Sequence, residues 1–134
     1  MEEVERMRKI ELLLRRSRDF YDAALNQLGK GFYSFSVFNL EQSLQLLLKA
    51  KLMKLGMDYP KTDSLSELVE MLLRVGERPR LKELVEKFAE ELKTLEEVYE
   101  IYRLSRYTPR KFERDEVVRL KEAVDKITRA LEIE

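Results

Sequence analysis

The chain has 134 residues, with 26 basic and 26 acidic side chains and therefore a formal net charge of zero. This length predicts one domain over residues 1–134, and the charge balance excludes a global field that would attract nucleic acid or anionic lipid. The chain has no Cys and no His, which excludes disulfides, thiolate catalysis and the commonest metal ligand. We therefore expect no metal and no cofactor.

The start of the chain, MEEVERMRK, has the pattern of neither a signal peptide nor a transit peptide. No apolar run approaches the roughly 20 residues of a membrane span. We therefore expect a cytoplasmic protein without membrane contact. Charged residues make up 39% of the chain, a thermophile-like bias that long solvated helices would also explain.

Apolar side chains spaced by three and four predict a first helix from about Glu3 to Leu28. Gly29 and Gly31 end this helix, and the short turn brings the second helix back antiparallel. The tract Arg15-Arg16-Ser17-Arg18 could contact phosphate. Such a run is more often a solvated face, and we favour that interpretation.

The stretch from Phe32 to Leu55 predicts a central helix that is apolar around most of its girth. Such a helix must be covered on several sides, and short-looped neighbours leave part of it bare, which predicts a homodimer. Its polar strip is Glu41, Gln45 and Lys49, which we expect to be solvated or at a dimer seam. For Gln42 we favour a buried amide bonded to backbone or to Tyr; the alternative is a ligand-binding residue.

The rest of the chain predicts one short helix and two long ones. Ser64 and Glu67 form a capping box for the short third helix. Pro79 begins a fourth helix of about 26 residues, roughly 39 Å long, which ends before Pro109, and Asp115 caps a fifth. No stretch alternates with period two, so the sequence predicts an all-α, antiparallel up-and-down bundle of four long helices plus one short helix.

The end of the fourth helix carries the main anomaly of the sequence. Its inner stripe continues by its own spacing to Arg106, and a buried guanidinium needs an anionic partner or a ligand. Five cations face one acid here: Arg103, Arg106, Arg110, Lys111 and Arg114 against Glu113, with Tyr102, Tyr107 and Phe112 among them. Arginine forks bind phosphate and aromatic rings stack on bases, so this composition suits a nucleotide or single-stranded RNA.

A purely structural explanation of this segment is also open, and on spacing alone we favour it. Cations near a helix C-terminus meet its exposed carbonyl groups favourably, and aromatic side chains at the end of a bundle commonly pack against a loop. Adjacent carboxylates on the fourth helix, such as Glu96 and Glu97, diverge by about 100° and are predicted to be surface residues.

Several short motifs follow one another along the predicted helices: Tyr33, Gln42-Ser43, Lys49-Ala50, Gly56, Thr62-Asp63-Ser64-Leu65, and Ser105-Arg106-Tyr107 before Pro109. Their order and spacing resemble the HEPN family (higher eukaryote and prokaryote nucleotide-binding domains), most closely its small stand-alone prokaryotic members, over roughly residues 16–131. The resemblance implies all-α homodimers, often encoded beside a minimal nucleotidyltransferase with which they form a toxin–antitoxin or related complex. Many members resemble metal-independent ribonucleases with an Arg and, four to six residues later, a His.

The resemblance places Arg106 at the family's arginine, but residues 107–112 contain no histidine. A second family histidine corresponds to Asp63, and a family glutamate corresponds to Gln45. These departures predict a binding protein with no catalytic residue, in which Arg106 holds phosphate and Tyr107 or Tyr102 stacks on a base. The remaining candidate ligand-binding residues are Arg103, Arg110, Lys111 and Gln42. The alternatives are a ribonuclease that uses Arg106 with another base, and a dimeric scaffold without a ligand.

Overall fold

The computed structural model describes residues 2–105 and 110–134. Over these residues the chain forms six α-helices and no strand: α1 (Glu2–Gly29), α2 (Tyr33–Lys54), α3 (Leu65–Arg74), α4 (Pro79–Lys87), α5 (Ala89–Ser105) and α6 (Arg114–Ile133). The predicted all-α helical bundle is confirmed. No helix in this part of the chain is long and apolar enough to cross a bilayer.

α2 is the central helix, as predicted, and packs against α1, α3, α5 and α6. Its inner side chains are at most 1% exposed: Val37, Leu40, Leu44, Leu48 and Leu52. Gly31, in the turn after α1, and Gly56, just after α2, have φ of +79° and +93°. Such angles are unstrained only for glycine, so these two residues set the length of α2.

The predicted single fourth helix is wrong, because the chain breaks at Phe88 into α4 and α5. Phe88 has φ −104° and ψ 27°, and its side chain is 7% exposed. No glycine or proline lies at this break. The two halves instead pack on different partners, α4 on α6 and α5 mainly on α2, and one straight helix could not follow both.

The N-terminus of α3 is capped twice. Ser64 Oγ accepts a hydrogen bond from Glu67 N at 3.2 Å, as the capping motif predicts. Glu96 of α5 also accepts from Ser66 N at 3.1 Å and from the Ser64 hydroxyl. The prediction that Glu96 is an ordinary surface residue is therefore wrong.

The N-terminus of α4 is capped by the side chain of Glu134, which follows α6. The Glu134 carboxylate accepts hydrogen bonds from Arg80 N at 3.0 Å and Leu81 N at 2.9 Å. A carboxylate is favourable there because the first amides of a helix lack partners and carry partial positive charge. α6 begins at Arg114 after Glu113 at the N-cap position, so the predicted cap at Asp115 is wrong by two residues.

Candidate functional site

A polar cluster is buried between α2, the loop before α3, and α5. On α2 it contains Glu41, Gln45 and Lys49, which are 0%, 3% and 2% exposed. The prediction that this strip is solvated or at a dimer seam is therefore wrong. The three residues recur every four positions and so share one face of the helix, and Asp63 and Tyr99 cover that face from the loop and from α5.

Asp63 joins the two sides of the cluster. Lys49 Nζ lies 2.5 Å from Asp63 Oδ1, and the Tyr99 hydroxyl donates to Asp63 Oδ2 at 2.8 Å. Burial acts to raise the pKa of Asp63, but the hydrogen bonds from Lys49 and Tyr99 and the charge of Lys49 outweigh it, so the pKa is lowered. Burial and the bond to Asp63 raise the pKa of Tyr99 to about 12. Asp63 is therefore a fixed acceptor and Tyr99 a fixed donor at neutral pH.

Glu41 is the titratable member of the cluster. Its Oε1 accepts from Gln42 Nε2 at 2.8 Å and its Oε2 accepts from Gln45 Nε2 at 2.9 Å. Burial raises the pKa of Glu41 to about 7, against these two hydrogen bonds, which lower it. The charge of Asp63 raises this pKa further, and the charge of Lys49, the smallest of the causes, lowers it. A chain without histidine thus has a side chain that titrates near neutrality.

Two candidate residues from the sequence, Gln42 and Tyr102, are held beside this cluster by neighbouring side chains. Phe38, one turn before Gln42 on α2, stacks on Tyr102 of α5 with 4.2 Å between ring centroids and 28° between planes. Gln42 is half-buried and bonded to Glu41, so the predicted backbone or Tyr partner is wrong. The α2–α5 contact places Gln42 and Tyr102 at the same end of the polar cluster.

The predicted cations divide between two places. Arg103, next to Tyr102, is exposed, pairs with Glu100 at 3.0 Å, and contributes to the low pKa of Asp63. Arg110 pairs with Glu116 and covers the Phe112 ring.

Arg110 also lines a small cleft with Thr94, a residue roughly 12 Å along α5 from Tyr102. Lys111, adjacent to Arg110, is exposed. Arg106 and Tyr107 lie outside the described residues. The structure thus brings Tyr102, Arg103 and Gln42 to one end of α5 and puts Arg110 elsewhere.

The network in which Glu41 and Lys49 are buried and the partly exposed Asp63 pairs with Lys49 was missed by sequence reasoning, although a signal exists. Polar residues at steps of four on a helix that is otherwise apolar all round fall on a face that neighbours also cover.

Within residues 2–105 and 110–134 no group of acidic side chains is placed to hold a metal ion.

Comparison with known proteins places the chain in a family. No curated protein and no solved structure matches it. A family model described as HEPN domain matches residues 10–134, which include α2 to α6 and most of α1. This agrees with the resemblance carried by the sequence motifs. The chain belongs to the HEPN domain family.

Proposed function

We propose that this protein is a homodimeric HEPN-domain binding protein that accompanies a minimal nucleotidyltransferase, as in toxin–antitoxin pairs, and binds a nucleotide or RNA through the end of α5 and the following loop. The contact between Tyr102 and Phe38 supports the proposal most directly. It holds the ring of Tyr102, which is next to Arg103 in the chain and four residues before Arg106, and the family resemblance marks Arg106 and Tyr107. Aromatic rings beside arginines are the usual means of holding a base and its phosphate.

The buried cluster would serve as the support for this site. Asp63 receives hydrogen bonds from Lys49 and Tyr99, and Tyr99 lies one turn before Arg103 on α5. Because Asp63 is bonded both to Lys49 of α2 and to Tyr99 of α5, it fixes the rotation of α5 about its axis. That rotation determines where the side chains of the next turn point, because residues three and four apart share a helix face.

The ligand-binding part of the proposal is tested by fluorescence anisotropy with a labelled single-stranded RNA and by calorimetry with ATP. Arg106→Ala and Tyr102→Leu should each weaken binding by about tenfold, since a base stack on an aromatic ring contributes about 1–3 kcal/mol. Leucine preserves an apolar contact to Phe38. Arg8→Ala, an exposed residue on α1, is the matched control and should leave affinity unchanged. Unaltered binding in both site variants would refute the site.

The partner is tested by co-expression with the nucleotidyltransferase from a neighbouring reading frame, followed by affinity purification and mass spectrometry. We expect a stable complex at stoichiometric ratio. Absence of such a reading frame, or failure to co-purify, would contradict the accessory role and leave the ligand-binding role standing.

For the homodimer we propose a face at the start of α2. Phe32 and Phe35 are 54% and 52% exposed, and Phe35 lies one turn before Phe38 at the aromatic stack. Exposed aromatic pairs of this kind commonly mark interfaces. Sedimentation should give a dimer at micromolar concentration, and the double variant Phe32→Ser, Phe35→Ser should give a monomer. A monomeric parent protein would refute the dimer.

A ribonuclease is the second candidate, because Glu41 has a pKa of about 7, in the range of a general base. Its carboxyl group is fully buried and both oxygens accept amide hydrogen bonds, which favours the binding protein over this candidate. Degradation of single-stranded RNA that is lost in Arg106→Ala would establish this candidate over the binding protein.

A further inference from the structure

A groove lies on the side of α2 opposite the polar cluster. At 100° per residue, Ser43, Leu47 and Lys51 are displaced by about 200° from the strip of Glu41 and Lys49. α1 and α6 form the two walls, and the open space between them is about 870 Å³. The walls are joined by one short bond, in which the Tyr21 hydroxyl of α1 donates to Asp125 Oδ1 of α6 at 2.5 Å.

Cations predominate in this groove although the whole chain is neutral. The lining contains Arg18, Lys51, Lys54, Lys121 and Arg129 against Asp22, Asp125 and Glu132. Lys121 is paired with Asp125 at 2.8 Å. The other four cations make no ion pair within residues 2–105 and 110–134. They come from three different helices, so the fold brings four positive charges together around the groove.

A buried guanidinium adds to this positive potential. Arg78 is 6% exposed; its Nη1 donates to Leu72 O at 3.0 Å, while its Nε has no partner among the described atoms. After burial itself, the charges of Arg78 and Lys54 are what lower the pKa of Lys51. Lys51 and Lys54 line one end of the groove and, together with Arg78, repel one another, so an anion beside Lys51 and Lys54 would relieve that repulsion.

The residues that line the groove indicate which kind of anion fits it. None of the strongly exposed apolar side chains of the described chain lies in the groove, whose apolar lining comes from buried and half-buried side chains such as Leu14, Leu47 and Leu131. The lining extends along roughly 16 Å of α2, from Ser43 to Lys54, and receives cations from α1, α2 and α6, so it is longer than one isolated phosphate would occupy. Thr128 supplies a hydroxyl group in the wall. A chain of successive phosphates matches this arrangement.

We propose that the groove between α1, α2 and α6 is a binding site for a phosphate chain, either the backbone of a single-stranded nucleic acid or an inorganic polyphosphate. The site uses no residue of the α5 end, so it is separate from the site proposed above. Lys51, Lys54, Arg18 and Arg129 make the phosphate contacts, and the charge of Arg78, which acts on Lys51, adds to the positive potential.

The test is fluorescence anisotropy of a labelled single-stranded oligonucleotide with the full chain. The groove variant combines Arg18→Gln, Lys54→Gln and Arg129→Gln, three exposed positions. The control variant combines Arg8→Gln, Lys82→Gln and Lys93→Gln, which are exposed outside the groove and change the net charge equally. Circular dichroism establishes that both variants are folded.

We expect the groove variant to bind at least about tenfold more weakly than the control and to show a salt slope smaller by about 2, since each phosphate contact to a single strand contributes about 0.7. Competition with inorganic polyphosphate distinguishes the two sources. Polyphosphate that displaces the oligonucleotide identifies the phosphate chain alone as the ligand, and failure to displace identifies a nucleic acid strand.

Equal affinity of the groove and control variants would overturn the inference, as would displacement of the oligonucleotide by poly-glutamate as readily as by polyphosphate, which would indicate an acidic protein segment instead. Arg106→Ala measured in parallel separates the two sites. Loss in Arg106→Ala with retention in the groove variant refutes only the groove, and the reverse refutes only the α5 site.

Discussion

The charged side chains on two opposite faces of α2 differ in whether they have bonding partners. On one face Lys49 is enclosed and meets Asp63 at 2.5 Å, and Glu41 meets two amides. On the other face Lys51 and Lys54 make no ion pair in the described part of the chain and lie in an open groove. A single helix thus carries a satisfied polar network and an unsatisfied positive surface.

The difference separates what supports the fold from what is available to a ligand. An ion pair with an enclosed ammonium group is costly to disrupt, and the charge of that group is already engaged by its partner. Cations without partners contribute little to stability and keep their charge for an incoming anion. The predictions below test this separation in order of expected effect.

Breaking the enclosed pair should have the largest effect. Lys49→Met removes the ammonium group and leaves the Asp63 carboxylate without its ion-pair partner. Because that carboxylate is partly exposed, we expect a loss near the lower end of the usual range, about 3 kcal/mol of unfolding free energy, measured by urea denaturation. Adding Asp63→Asn should recover part of the loss, and a single variant as stable as the parent protein would show that the pair supports nothing.

Glu41 should give the enclosed face a pH-dependent stability. Its folded pKa is about 7 against an ordinary value of 4.5, so the folded state binds the proton more tightly. The resulting stabilisation is fully present below about pH 4.5 and is lost as the pH rises through about 7, a change of about 3 kcal/mol.

The isosteric variant Glu41→Gln isolates that effect. Denaturation of the parent protein and of the variant between pH 4 and pH 8 should give a stability difference that shifts in favour of the variant as the pH rises. A difference that is constant over this interval would mean that Glu41 keeps one protonation state in the fold.

Gly76→Ala should disturb the buried guanidinium of Arg78. A methyl group at this position would lie 2.7 Å from Arg78 Nη1, and that nitrogen is held by Leu72 O at 3.0 Å. The side chain would have to move and lose a charged hydrogen bond, at about 1–2 kcal/mol. Thermal unfolding measures the loss. In the double variant with Arg78→Met the alanine should cost much less, and an equal cost would place the strain elsewhere.

Removing a groove cation should have the smallest effect on folding. Lys54→Gln deletes a charge without a partner, so the unfolding free energy should stay within about 0.5 kcal/mol of the parent value. The same urea denaturation serves for comparison with Lys49→Met, five positions away on the same helix. A loss comparable to that of Lys49→Met would remove the distinction between the two faces.

Much of the fold was predictable because helix periodicity is local. The inner stripe of α6, from Val117 to Leu131, is buried as its spacing predicts, and α4 begins at Pro79 as predicted. The break at Phe88 was not predictable, since no glycine or proline marks it and the cause is that α4 and α5 pack on different helices. Partners distant in sequence decide such features.

The candidate site was predictable only in part for the same reason. The order of motifs indicated the HEPN family, and the family match confirms it. The burial of Glu41 and Lys49 depends on Asp63 and Tyr99, which are 14 and 50 residues beyond Lys49 in the chain. Helical spacing states which residues share a face, but not which distant element will lie on it.

The cap of α4 makes this helix depend on Glu134, the residue that follows α6. α4 has nine residues, too few to persist alone in water, and two of its first amides are held by the Glu134 side chain. The amide protons of Arg80 and Leu81 are therefore shielded only while Glu134 is docked. Their hydrogen-exchange rates should report directly on detachment of Glu134 and the last turn of α6.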